Sequence, residues 1–226
     1  MFITSHSVEN YFDISEFPFP ELFTDVQYVW DILKIISPFL KKQKLGQILG
    51  DVSPQAYLIS PELISVGRGS VIEPGAYIKG PCLIGENCTV RHGAYIRGDC
   101  ITGNKVVIGH DTEVKNALFL NGAHAAHFAY VGDSILGNRV NLGAGTKLAN
   151  LRLNNQSIKI EGTDTGIRKF GAILGDDAQT GCNSVLNPGT MVGKGSVILP
   201  SLNVGGVIGA QVRVEGDFSL RIRPKT

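Results

Sequence analysis

Aliphatic residues recur along the middle of this chain at every sixth position: Val66, Ile72, Ile78, Ile84, Val90, Ile96, Ile108, Val114 and Leu120, with Thr102 in the remaining slot. Four residues after each, the side chain is usually small, as at Ser70, Ala76, Cys82, Cys88, Ala94, Cys100 and Thr112. A strand alternates with period two and an amphipathic helix with period 3.6. A period of six with an aliphatic knob and a small partner therefore predicts a short strand followed by a corner, three such sides closing one coil. The count resumes at Tyr130, Leu136, Leu142 and Leu148, and again at Leu174, Thr180, Leu186, Val192, Ile198 and Val204. The two breaks predict residues looped out of the coil, at 121–129, which carries His124 and His127, and at 149–173, which carries Lys159, Arg168 and Lys169. Insertions in solenoids collect on one face and often bind ligands, so the search for chemistry starts there.

Ahead of the repeat the pattern changes. Leu22, Val26, Val29, Leu33, Ile36 and Leu40 step by threes and fours, which is a helical stripe. Thr24 with Gln27 three residues later predicts a capping box, and Ser37-Pro38 predicts a break with a second helix starting there. The expected element is a helical hairpin or kinked helix packed on the first coil, where it covers an apolar end and unpaired backbone. The alternative for the same stripe is partner binding. The resulting division is an N-terminal extension and helical cap at 1–47, a β-helix at 48–210 and a C-terminal tail at 211–226.

Composition narrows the classes. The 226 residues are 43% hydrophobic, enough for a sizeable core in one main domain. With 21 basic against 20 acidic residues the formal net charge is +1, so neither nucleic acid nor a membrane surface is an expected partner. The 28 glycines suit a coil that turns a corner every six residues. Cys82, Cys88 and Cys100 occupy the small slot of the repeat and are expected as buried hydrophobes; no CxxC spacing points to zinc. The opening residues MFITSHSVENYFDISEF lack a basic stretch leading into an apolar run, so no signal peptide is expected. No apolar stretch reaches the roughly 18 residues of a membrane span, and a reducing cytoplasm is the expected setting.

Residues one coil apart should stack about 4.8 Å apart, as strand neighbours do. Lys79, Arg97 and Lys115 form such a column, with Arg91 in the same slot of a neighbouring side. Stacked cations repel unless neutralised, either by local carboxylates such as Asp99 and Glu113 or by a bound anion, and the pattern leaves both open. His92 and His110 should stack likewise. A zinc site needs three or four converging ligands, and no metal is expected. His127, where the chain rejoins the coil, is a candidate general base, since an imidazole titrates near neutrality.

The segment HFAYVGDSILGNRVNLGAGT, followed by AN, resembles the acetyltransferase domain of the bacterial bifunctional enzyme that makes UDP-N-acetylglucosamine. With NLRLNNQSIKIEGTDTGIRKFGAILGDD added, it resembles still more the C-terminal domain of archaeal-type sugar-1-phosphate nucleotidyltransferases, over about residues 60 to 205. The resemblance implies an all-β fold, a left-handed parallel β-helix of hexapeptide repeats, although general crossover rules give the opposite hand. It implies a homotrimer that uses acetyl-CoA to acetylate the amine of an amino-sugar 1-phosphate, glucosamine 1-phosphate foremost. Position by position, His127 matches the family's catalytic base. Arg91 and Lys115 match residues that bind the sugar phosphate, Lys115 standing twelve residues before His127. Tyr130, Asn141 and Lys169 match further sugar-binding positions. Ala144 and Asn150 match positions near acetyl-CoA, and Cys182 stands where the bacterial enzyme has serine at the coenzyme site.

The first fifty residues carry no Gly-rich, basic nucleotide loop after a strand. Nucleotidyl transfer is therefore not expected of this chain alone. The expected function is a free-standing acetyltransferase, or the acetylating half of a pair with a separate nucleotidyltransferase. The alternative from a different class is a non-catalytic β-helix that serves as an oligomerisation or regulatory partner of such an enzyme.

Overall fold

The computed structural model describes residues 6–216. Short parallel strands stack coil upon coil into a three-sided solenoid. One face is a nine-stranded sheet; the other two merge into a fourteen-stranded sheet, because Glu113–Phe119 and Tyr130–Leu136 continue as strands around the corner between them. Every rung is a parallel pair, with most strand N–H groups donating to the coil that follows, as Val71 to the Cys88 carbonyl and Tyr77 to that of Ala94.

The inward side chains form one ladder per face. On the first face Ile72, Val90, Ile108, Ala125, Leu142, Thr180 and Ile198 succeed one another. The second face stacks Ile78, Ile96, Val114, Val131, Leu148 and Leu186. The third stacks Thr102, Phe119, Leu136, Leu174 and Val192. These residues are buried, and each buried aliphatic side chain contributes about 1.5–3 kcal/mol.

The coil is not constant in length. Eighteen residues separate Val90 from Ile108, but seventeen separate Ile108 from Ala125 and Ala125 from Leu142. This corrects the expected loop at 121–129: His124–His127 is a regular strand, paired with Val107–His110. The phase slips because single residues are dropped earlier, between Val114 and Phe119 and again between Val131 and Leu136. The third-face core position is therefore Phe119 rather than Leu120, and the second-face one is Val131 rather than Tyr130. At the older corner Gly98 and Asp99 both take positive φ (99° and 50°), whereas Asn116 (45°) and Asp133 (48°) turn the shorter corners alone. Asn and Asp are the non-glycine residues that tolerate this region best. The second insertion is real: residues 150–170 leave the coil, form a small antiparallel hairpin at Lys159–Ile160 and Thr163–Asp164, and return.

The N-terminal segment differs from expectation in four ways. Its one long helix is Ile32–Lys42, of eleven residues, preceded by a single helical turn at Val8–Tyr11 and 3-10 turns at Pro20–Phe23 and Val29–Asp31. The capping box is Tyr28 with Asp31, not Thr24 with Gln27. The helix runs through Pro38, although an internal proline costs about 3 kcal/mol; burial of Leu33 and Ile36 before it and Leu40 after it outweighs that cost. The helix also lies along the flank of the solenoid rather than on its first coil. It packs against Glu113–Phe119 and Tyr130–Leu136, where the outward column Ile101, Leu118, Ile135, Ile173 and Met191 is apolar and buried. At the other end the strand Arg213–Val214 still pairs with Val197–Ile198, so the first residues assigned to a C-terminal tail belong to the coil; 217–226 lie outside the described residues.

Cys82, Cys88 and Cys100 are buried and Cys182 is exposed. Burial pushes the Cys82 thiol up to about 12 and raises Cys88 and Cys100 as well. Alkylation of the native protein near pH 8 should therefore label one thiol per chain, Cys182, and denaturant should release all four. Mass spectrometry counts them, and fast native labelling of Cys82 or Cys100 would contradict this packing.

Candidate active site

His127, Ala144 and Cys182 occupy one column. Ala125 pairs with Leu142 and Leu142 with Thr180, so the residues two further on meet at the corner between the first and second faces. The backbone agrees: Gly145 N–H donates to the His127 carbonyl (3.0 Å), and Asn183 N–H to that of Ala144 (2.8 Å). His127 and Cys182 are exposed, which leaves an imidazole, a methyl and a thiol on successive coils along a solvent-facing edge. The same edge continues backwards through His110, paired with His127, and His92, whose ring stacks on His110 at 5.8 Å and 16°. His92 Nδ1 meets the Pro74 carbonyl (2.7 Å) and His110 Nδ1 the His92 carbonyl (3.1 Å).

A second cluster sits where the second face turns into the third. Lys115 Nζ donates to both oxygens of Asp133 (3.1 and 3.2 Å), Asn116 Nδ2 donates to Oδ1 (3.0 Å), and Asn150 Nδ2 donates to Oδ2. Asp133 is 4% exposed, and a carboxylate so placed needs this many donors. Tyr130 reaches the cluster from the start of the same strand. Its ring lies over Gly132, where a Cβ would stand 2.6 Å from the tyrosine hydroxyl and 2.8 Å from Asn150 Nδ2. Burial raises the Tyr130 pKa first, Glu113 and Asp133 add to it, and the Asn150 hydrogen bond opposes them. The insertion closes beside this cluster: Phe170 N–H donates to the Asn150 carbonyl (2.9 Å) and Gly171 N–H to that of Asp133 (2.8 Å). Lys169, exposed, bridges to Leu151 at the base of the insertion.

The remaining two residues lie on the first face, one on each side of His124. Asn141 is the register partner of His124, and Arg91 acts on the same imidazole: burial lowers the His124 pKa most, and the Arg91 charge lowers it further. One chain therefore brings together His127 with Ala144 and Cys182, and Lys115 with Tyr130 and Asn150 near Lys169, but leaves Arg91 and Asn141 on another face. The cation column Lys79, Arg97 and Lys115 does stack. Glu113 pairs with Arg97 (2.7 Å), whereas Asp99 pairs with none of the three cations and its buried Oδ1 has no partner.

Asp133 and Asn116 were not among the residues expected from sequence. Their signal is a spacing of seventeen: Asn116, Asp133 and Asn150 stand at three successive corners. A fixed count of eighteen hides it. Among the described residues no group of three or more His, Cys, Asp or Glu side chains is placed to hold a metal, and no helix is long and apolar enough to cross a membrane.

A family described as the GMPPB C-terminal domain matches residues 78–192. The chain is 32% identical over 189 residues to a bifunctional sugar-1-phosphate nucleotidylyltransferase/acetyltransferase of Sulfurisphaera tokodaii, covering 82% of this chain and 47% of that protein. It is 36% identical over 180 residues to a bifunctional protein GlmU of Methanococcus maripaludis, covering 77% of this chain and 42% of the relative. It thus spans less than half the length of either relative. Among solved structures, a Francisella novicida UDP-N-acetylglucosamine acyltransferase superposes with a TM-score of 0.50 at 14% identity, over 73% of this chain and 67% of that one. This likeness is one of fold, the hexapeptide left-handed β-helix.

The electrostatics of the first face give a measurable consequence. Because the folded chain holds His124 below its ordinary pKa, acidification through the imidazole range protonates the unfolded chain first, and stability from this residue is complete above that range and falls below it. Arg91→Met should raise the His124 pKa part of the way towards the ordinary value, since burial remains. Proton NMR titration reads the midpoint, and an unchanged midpoint would show that Arg91 does not act on this ring.

Proposed function

This chain belongs to the GMPPB C-terminal domain family, and on that premise we propose that it is an acetyl-CoA-dependent N-acetyltransferase acting on an amino-sugar 1-phosphate, glucosamine 1-phosphate foremost. The observation that carries this reading is the column of His127, Ala144 and Cys182 on consecutive coils. It sets a candidate base at one end of a straight, exposed track whose further positions are those matched to the coenzyme. The acetyltransferase half named in the Sulfurisphaera relative agrees with it.

In this mechanism the sugar amine attacks the thioester carbonyl while His127 takes its proton. The tetrahedral oxyanion is stabilised by N–H donors and collapses to the amide, and the departing thiolate of CoA recovers the proton from His127. No metal enters. The sugar lies over the second face beside Tyr130, its amine towards His127 and its phosphate towards Lys115 and Lys169. His127 and Gly132, the neighbour of Lys115, are five residues apart along the chain, at most roughly 17 Å. Arg91 and Asn141, on the first face, serve the site of an adjacent copy, so the active form is a homotrimer with sites between subunits. The reaction class that consumes the product is nucleotidyl transfer, supplied by a nucleotidyltransferase partner.

Steady-state assays with acetyl-CoA and a panel of amino-sugar phosphates test this. His127→Ala should lower kcat/KM at least about 100-fold and leave the thermal midpoint unchanged, since the side chain is exposed. An undiminished rate would remove His127 as the base. A wild-type protein that neither turns over the panel nor is stabilised by CoA would favour the non-catalytic partner role.

A further inference from the structure

The donor set around Asp133 has a geometry that substrate binding alone does not explain. The carboxylate is buried, both its oxygens are taken, and its three donor residues come from two separate places: Lys115 and Asn116 on the coil before, and Asn150 at the mouth of the insertion. Its own carbonyl accepts from Gly171, where the insertion returns. The residue turns the corner at φ 48°, so backbone and side chain are both fixed. Two groups matched to substrate and coenzyme, Lys115 and Asn150, thus converge on a residue that presents almost no surface to a ligand.

We propose that Asp133 is the positioning residue of this site, holding Lys115, Asn150 and, through Asn150, the Tyr130 hydroxyl in one fixed arrangement. The kinetic part of this assignment rests on the acetyl-transfer reading. Charge-assisted bonds to a buried carboxylate are among the stronger polar interactions, and removing one partner of such a set costs more than the bond itself because the others are left unsatisfied. The Lys115 side chain keeps 28% of its surface exposed, so a third N–H remains for a substrate anion while the other two are held in place.

The test has two arms. In the first, glucosamine 1-phosphate and acetyl-CoA turnover is measured for wild type, Asp133→Asn, Lys115→Met and the double variant. The expected result is at least a ten-fold loss of kcat for D133N in protein that remains folded by circular dichroism, with the double variant within two-fold of the worse single one, as coupled residues behave. A kcat for D133N within two-fold of wild type, or independent multiplying losses, would overturn the assignment. If D133N does not fold, Lys115→Gln decides: it keeps a donor for Asp133 and should retain at least five-fold more kcat than K115M, whereas equal loss contradicts a positioning role.

The second arm needs no turnover. Lysine acylation by acetic anhydride, followed by mass spectrometry, should label Lys115 several-fold faster in D133N than in wild type, and an unchanged rate overturns the clamp. An inactive wild type would overturn the acetyl-transfer reading and the kinetic role with it. The labelling ratio would still decide whether Asp133 holds Lys115.

Discussion

Each coil of this solenoid is hydrogen bonded to the one before it, in register, and every other feature of the molecule inherits that constraint. A parallel rung fixes which residue lies over which, so coil length decides which side chains become neighbours. Where the coil has eighteen residues, His92 meets His110; where it has seventeen, His110 meets His127 and the edge arrives at Ala144 and then Cys182. The shortening is absorbed at one corner, by Asn116 and Asp133 at positive φ. Those residues are there because their short polar side chains tolerate that backbone, and the same side chains build the Lys115, Asn116, Asp133 and Asn150 network. The corner that saves a residue is the corner that becomes polar.

The N-terminal segment belongs to the same logic. The third face carries an apolar column on its outer side, from Ile101 to Met191, which would expose a continuous greasy stripe if left bare. The helix Ile32–Lys42 and the turns before it cover that stripe, and the first and second faces stay open for ligands and neighbours. The segment is also tied to the insertion and to the later coils. His6, 8% exposed, lies 3.1 Å from Tyr11 and 3.1 Å from Glu161 in the hairpin of the insertion. Asp13 N–H donates to Asp176 (2.7 Å), and Asn138 Nδ2 donates to the Asp13 carbonyl (2.8 Å). The insertion that carries Lys169 is thus held at its base by Asp133 and at its hairpin by the N-terminal segment.

The period of six was legible because an aliphatic knob at every corner-to-corner step leaves a mark distinct from the periods of a flat strand and of a helix. The histidine stack and the cation column followed from it; whether carboxylates such as Asp99 and Glu113 or an anion would neutralise that column did not, and the structure pairs Glu113 with Arg97. A dropped residue was not legible: it leaves no gap in hydrophobicity, since Phe119 and Leu120 are equally apolar, and Leu120 continued the count of six while Phe119 took the core position. The helix through Pro38 was misread for a related reason. Local proline chemistry argued for a break, and tertiary burial on either side overrode it. Asp133 stayed hidden because its importance lies in three partners that are remote in sequence, brought together only once the coil is counted in seventeens.

In the proposed acetyltransferase the coenzyme lies along the edge through His127, Ala144 and Cys182, its thioester presented to His127. Cys182 reports on that track directly, being the exposed thiol on it. The decisive measurement is the rate at which Cys182 is alkylated with and without saturating CoA. CoA should slow alkylation of Cys182 many-fold, and an unchanged rate with CoA bound would show that the coenzyme does not lie on this edge.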